Sequence, residues 1–175
     1  GGMMQRASEY WTYGSSIFTN AFSRRGIPTK LFIKGVAWFG FETSACHIGG
    51  ATAQPLHVIA AWLKSRGFNA VRVPFAAGAL LEAEPTCMQN GELEGIRKHN
   101  PQLLGMSYLE RLKEVIRVAG DAGLLVLLVR GNSTEDASSG VEVLIRAGVE
   151  ILRLGAGQLL CRVRGDALGG GSWRD

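Results

Sequence analysis

The sequence predicts an α/β protein built on a parallel sheet, and three observations carry that reading. Short apolar runs recur at residues 31–36, 69–74 and 124–128; helical spacing of apolar residues fills the intervals between them; glycine or proline marks most of the joins. Strands alternating with helices are the pattern of βαβ units. Of 175 residues, 46% are hydrophobic and 19% charged, which suits one domain with a core of its own.

The first strand is expected over Leu31–Val36, running on into Ala37-Trp38-Phe39-Gly40 and preceded by the turn pair Ile27-Pro28. Because it is almost wholly apolar, it is expected to be buried on both faces. A polar, glycine-rich loop follows from Thr43 to Gln54. Pro55 then suits the first turn of a helix. Leu56, Ile59 and Leu63 give helical spacing, with Val58 and Trp62 beside them, and Gly67 stops the helix. Asn69–Pro74 reads as the second strand. The connection from Phe75 to Met106 is too long for an ordinary loop, so it is expected to be functional or locally helical. Ser107 and Glu110 have capping-box spacing, and Leu109, Leu112, Val115, Ile116 and Ala119 mark one helical face ending at Gly120 or Gly123. Leu124–Leu128 is the third strand.

Composition excludes several functions. Net charge is +4 with the basic residues scattered, so the concentrated basic stripe of a nucleic-acid surface is absent. Gly35, Gly40, Gly49 and Gly50 do not fall in the spacing of a dinucleotide-binding turn. Cys46, Cys87 and Cys161 have neither C-x-x-C spacing nor a histidine at metal-ligand spacing, which favours buried or free thiols; a Cys46–Cys87 disulfide remains open if the chain is secreted. His47 is expected to be an exposed loop histidine. No run approaches the ~20 apolar residues of a membrane span. Residues 1–6 carry no apolar signal-peptide core.

Three segments resemble family 5 of the glycoside hydrolases, the cellulase type. Lys34-Gly35-Val36-Ala37-Trp38-Phe39-Gly40-Phe41-Glu42-Thr43 is similar to the K-G-V-N-W-F-G-F-E-T signature at the first barrel strand, departing only at Ala37. The run from Leu63 to Phe75, including Arg72, is similar to L-K-S-x-G-F-N-x-x-R-x-P-F at the second strand. Residues 104–128 are similar to the following helix and third strand, and Tyr10-Trp11 to the mature N-terminus. The resemblance implies an incomplete (β/α)8 TIM barrel of about three β/α units, since a whole barrel needs ~250 residues. It also implies a retaining hydrolase of β-1,4-linked polysaccharide, secreted, with β-glucan as partner and neither cofactor nor metal. Such enzymes use two glutamates about 5 Å apart.

From the resemblance, Arg72 is the nucleophile-orienting arginine at the end of the second strand, a support rather than an acid or a nucleophile. Trp38, Phe39 and Glu42 are the candidate substrate-binding residues. The acid/base follows an asparagine in the family, and no Asn-Glu pair occurs in this chain, so the chain is expected to be inactive alone.

The family's H-G-L-W is replaced by Gly49-Gly50-Ala51-Thr52, and the Asp-x-His that ends its third strand by Val129-Arg130-Gly131. Residues 1–128 are therefore read as barrel sequence. Residues 129–175 are read as a non-family tail, compatible with intron read-through or a frameshift; a transcript joining Leu128 to an Asp-x-His run would support this, and homologues of the tail would refute it. Within the tail, residues 141–145 read as a short helix and 149–154 as a strand, and Asn132-Ser133-Thr134 has the glycosylation pattern. Two further expectations follow: a non-catalytic sugar-binding surface of Trp38, Phe39 and Phe41, and self-association through open sheet edges.

Overall fold

The computed structural model describes residues 10–19, 27–81, 90–130, 149–155 and 158–163. Residues 1–33 and 34–175 form two compact units. In the first, β1 (Tyr10–Tyr13), β2 (Ser16–Thr19) and β3 (Thr29–Leu31) make an antiparallel sheet in that order. Gly14 supplies the left-handed φ of 57° between β1 and β2.

The apolar run from Leu31 to Val36 is not one buried strand. Leu31 ends β3, Phe32 and Ile33 are 74% and 43% exposed, and β4 (Gly35–Ala37) begins a different sheet. Contacts with the second sheet begin at Lys34, whose backbone N–H donates to Asn69 Oδ1 at 2.7 Å and whose carbonyl accepts from Asn69 N–H at 3.0 Å. Apolar content alone cannot separate one strand from two short ones.

In the second unit the chain passes from β4 through α1 (Leu56–Ser65), β5 (Ala70–Phe75), α2 (Ala77–Leu81), α3 (Asn90–His99), a 3-10 turn (Pro101–Leu103) and α4 (Tyr108–Asp121) to β6 (Leu125–Arg130). Strands β4, β5 and β6 pair in parallel in that order, the expected alternation. The long connection is locally helical, containing α2, α3 and the 3-10 turn.

Local chemistry explains these elements. Ser107 Oγ accepts from the Glu110 N–H, and the Glu110 carboxylate accepts from the Ser107 N–H at 2.7 Å, so the capping box at the start of α4 is complete. The Ser107 N–H holds the Glu110 carboxyl below its usual range. Lys34 Nζ donates to Arg66 O just past α1, and Lys64 Nζ to Gly123 O just past α4, each placing a cation where helix carbonyls lack partners.

The sheet has two unlike faces. Val71, Val73, Val126 and Leu128 share one core with Leu56, Ala60 and Leu63 of α1 and Leu112, Val115, Ile116 and Ala119 of α4. The alternate residues point the other way. One register row there runs Ala37, Arg72, Leu127, in which Ala37 and Arg72 are exposed and Leu127 is half-buried.

Beyond Leu128 the strand continues to Arg130, and the sheet then changes character. β7 (Val149–Gly155) and β8 (Gln158–Val163) form a hairpin, and β8 pairs antiparallel with β6, giving the order β4-β5-β6-β8-β7. The strand expected at 149–154 is there, with an unforeseen partner in β8. Residues 141–145, the Asn132-Ser133-Thr134 pattern and Cys87 lie outside the described residues. The described sheet is open, with β4 and β7 at its edges. Among the described residues no helix is long and apolar enough to cross a membrane.

Candidate substrate-facing site

Parallel α/β sheets bind ligands at the carboxyl ends of their strands, where the loops gather. Here the loop after β4, residues 38–55, carries three of the four candidate residues. It is no ordinary polar loop: Trp38, Phe41, Cys46, His47, Ile48 and Ala51 are buried within it. Its backbone folds back on itself through Gly49 N–H to Phe39 O at 2.7 Å and Thr43 N–H to Gly40 O at 3.1 Å. Gly40 sits at φ 129°, and a Cβ there would collide with the His47 carbonyl.

Trp38 is a correction to the expected set. It is 6% exposed, and its indole N–H donates to Gly49 O at 2.9 Å, so the ring closes the loop instead of meeting solvent. Phe41 is buried too, edge-on to Tyr108 with ring centroids 5.4 Å apart. A sugar platform of three aromatic rings is therefore ruled out, because two of the rings are spent on the core. Phe39 is different. It is 64% exposed, and its ring lies over Gly49, where an added Cβ would come within 3.3 Å of the ring edge.

Glu42 is exposed, and its Oε2 accepts from Gly40 N–H at 2.7 Å, which fixes the carboxylate beside its own turn. Arg72 is the third of six residues in β5 rather than a strand-end residue. It is the one exposed position in that strand, and its carbonyl accepts from Trp38 N–H at 2.8 Å. Arg72 and the Trp38–Glu42 turn are thus joined by the backbone at the carboxyl end of β4. His47, expected to be exposed, is 6% exposed with Nδ1 3.0 Å from Ile48 O. Cys46 is disulfide-bonded.

Two residues that the sequence did not flag hold this region in place. Tyr108 donates its hydroxyl to Phe41 O at 2.7 Å and accepts from Ala76 N–H at 2.9 Å, bridging the exits of β4 and β5. Burial pushes its hydroxyl up to about 12, with Glu42 adding a smaller push the same way. Asn100, fully buried, accepts from Leu56 N–H at 2.9 Å and donates to Ala51 O at 2.7 Å and Gln54 O at 2.9 Å. It caps α1, whose N-cap Pro55 has no side chain to do so. An asparagine before a proline reads as an ordinary turn, so only tertiary contact reveals its role.

Comparison with known proteins places this geometry. The sequence model of cellulase, glycosyl hydrolase family 5, matches residues 29–140. Among solved structures, a variant of the endocellulase from Pyrococcus horikoshii in complex with cellotetraose is similar at 25% identity and TM-score 0.60, covering 80% of this chain and 39% of that one. A hyperthermostable endocellulase is similar at 30% identity and TM-score 0.57, covering 70% and 30%. The catalytic domain of the major endoglucanase from Xanthomonas campestris pv. campestris is similar at 27% identity and TM-score 0.53, covering 69% and 37%. This chain therefore spans about two fifths or less of these three relatives. With a family model matched over most of its length and the parallel strands of those neighbours, the chain belongs to the cellulases of glycosyl hydrolase family 5.

Proposed function

We propose that the chain supplies the first three strand–helix units of a cellulase-type (β/α)8 barrel and one wall of a cleft for β-1,4-linked glucan. The observation that carries this reading is the placement of exposed Arg72 on the sheet face opposite α1 and α4, joined to the Trp38–Glu42 turn at the carboxyl end of β4. A guanidinium there holds a carboxylate ionised and aimed, the role the family resemblance implies. Phe39 offers an exposed ring to a sugar face. Cellotetraose in the related endocellulase complex supports β-glucan as the ligand class. The disulfide at Cys46 fits an oxidising, extracellular setting.

Retaining hydrolysis requires two carboxylates about 5 Å apart. Glu42 is one carboxylate committed to a turn, and the 175 residues hold no Asn-Glu pair. The chain alone is thus a sugar-contacting surface without turnover. Incubating the purified chain with soluble β-1,4-glucan and assaying new reducing ends should give none above buffer. Turnover that disappears in Arg72→Ala would overturn the reading.

A further inference from the structure

Helix α3 grips the loop after β4 at three points. At its C-terminal end, Asn100 holds Ala51, Gln54 and Leu56. At its middle, Gly95 lies so close to Thr52 that an added Cβ would come within 2.5 Å of the Thr52 carbonyl. Near its start, Glu92 Oε2 stands 3.5 Å from His47 Nε2. The first two contacts do not depend on protonation. The third does, for a geometric reason.

His47 Nδ1 faces the Ile48 carbonyl at 3.0 Å, and a carbonyl only accepts, so Nδ1 carries a hydrogen. In the neutral ring, Nε2 is then a bare acceptor turned toward a carboxylate, another acceptor. The side chain is 7% exposed and Nε2 has no hydrogen-bond partner among the described residues, so this arrangement is unfavourable without a proton. Only the imidazolium has an Nε2–H to donate to Glu92.

We propose that His47 and Glu92 form a protonation-controlled latch that fastens the loop after β4 to the N-terminal half of α3. The proton comes from solvent on acidification and sits on Nε2; no other bond changes. From α3, Glu94, Arg97 and Lys98 line a surface recess with Leu93. From α4, the Tyr108 hydroxyl is committed to Phe41 and Ala76. On the loop, Glu42 is committed to Gly40 and Cys46 is in a disulfide. Among the described residues, Glu92 is the charged group within ion-pair distance of His47.

Amide hydrogen exchange of the full 175-residue chain tests this at about pH 5 and about pH 8. Rates are corrected for intrinsic chemistry and referenced to α4 amides. Residues 92–96 should be about three- to tenfold more protected at the lower pH, with no such change next to Asn100. Glu92→Ala should abolish the pH dependence, and His47→Gln, with a permanent donor, should flatten it. Should His47→Gln fail to fold, Glu92→Ala at its partly exposed position decides alone. Equal protection at both pH values in the wild type, or an unchanged pH dependence in Glu92→Ala, would overturn the latch.

Discussion

Tyr108 carries more of the site's architecture than any residue the sequence brings forward. Its ring fills the core while its hydroxyl serves one donor and one acceptor on two different strand exits. Tyr108→Phe keeps the ring and leaves Ala76 N–H and Phe41 O unserved, at an expected cost of about 2 kcal/mol in urea unfolding. The hydroxyl titrates at 10 when free and near 12 when folded. Its contribution is therefore complete below about pH 10 and lost as pH rises toward 12, so the phenylalanine variant should lack that part of the alkaline loss. Asn100→Ala strands three backbone groups at once, and about 3 kcal/mol of destabilisation is expected by the same measurement. Arg72 stood out through its motif, whereas Tyr108 and Asn100 did not. Tyr108 and Asn100 act on backbone 32 and 44 or more residues away, which no local motif records.

At the scale of elements, the sequence was most legible where local rules are strong. The capping box and apolar spacing placed α4, and Pro55 with Leu56, Ile59 and Leu63 placed α1. The failures share one cause. Leu31–Val36 split between two sheets, and the loop after β4 buried Ile48, His47 and two aromatics, because apolar content states how much can be buried and not against what. The close approach of α3 to that loop was invisible for the same reason. Gly95→Ala tests it: in an isolated helix alanine is favoured over glycine, yet here its methyl group meets Thr52. A loss of about 1–3 kcal/mol is expected on urea unfolding, and a gain would show that α3 sits further off.

For the molecule as a whole, α1 and α4 pack on one face of three parallel strands, and on the other face Arg72 is exposed between exposed Ala37 and half-buried Leu127. The antiparallel β7–β8 hairpin takes the β6 edge instead of a fourth parallel strand. In the described sheet β4 is an edge, and its three residues offer little template for pairing. The measurement closest to the central claim is titration calorimetry of the purified chain with cellotetraose, run beside Phe39→Ala. We predict saturable binding that weakens about fivefold or more in the variant. Absence of binding, or equal binding by both proteins, would contradict the placement of a glucan-facing wall at the carboxyl end of β4.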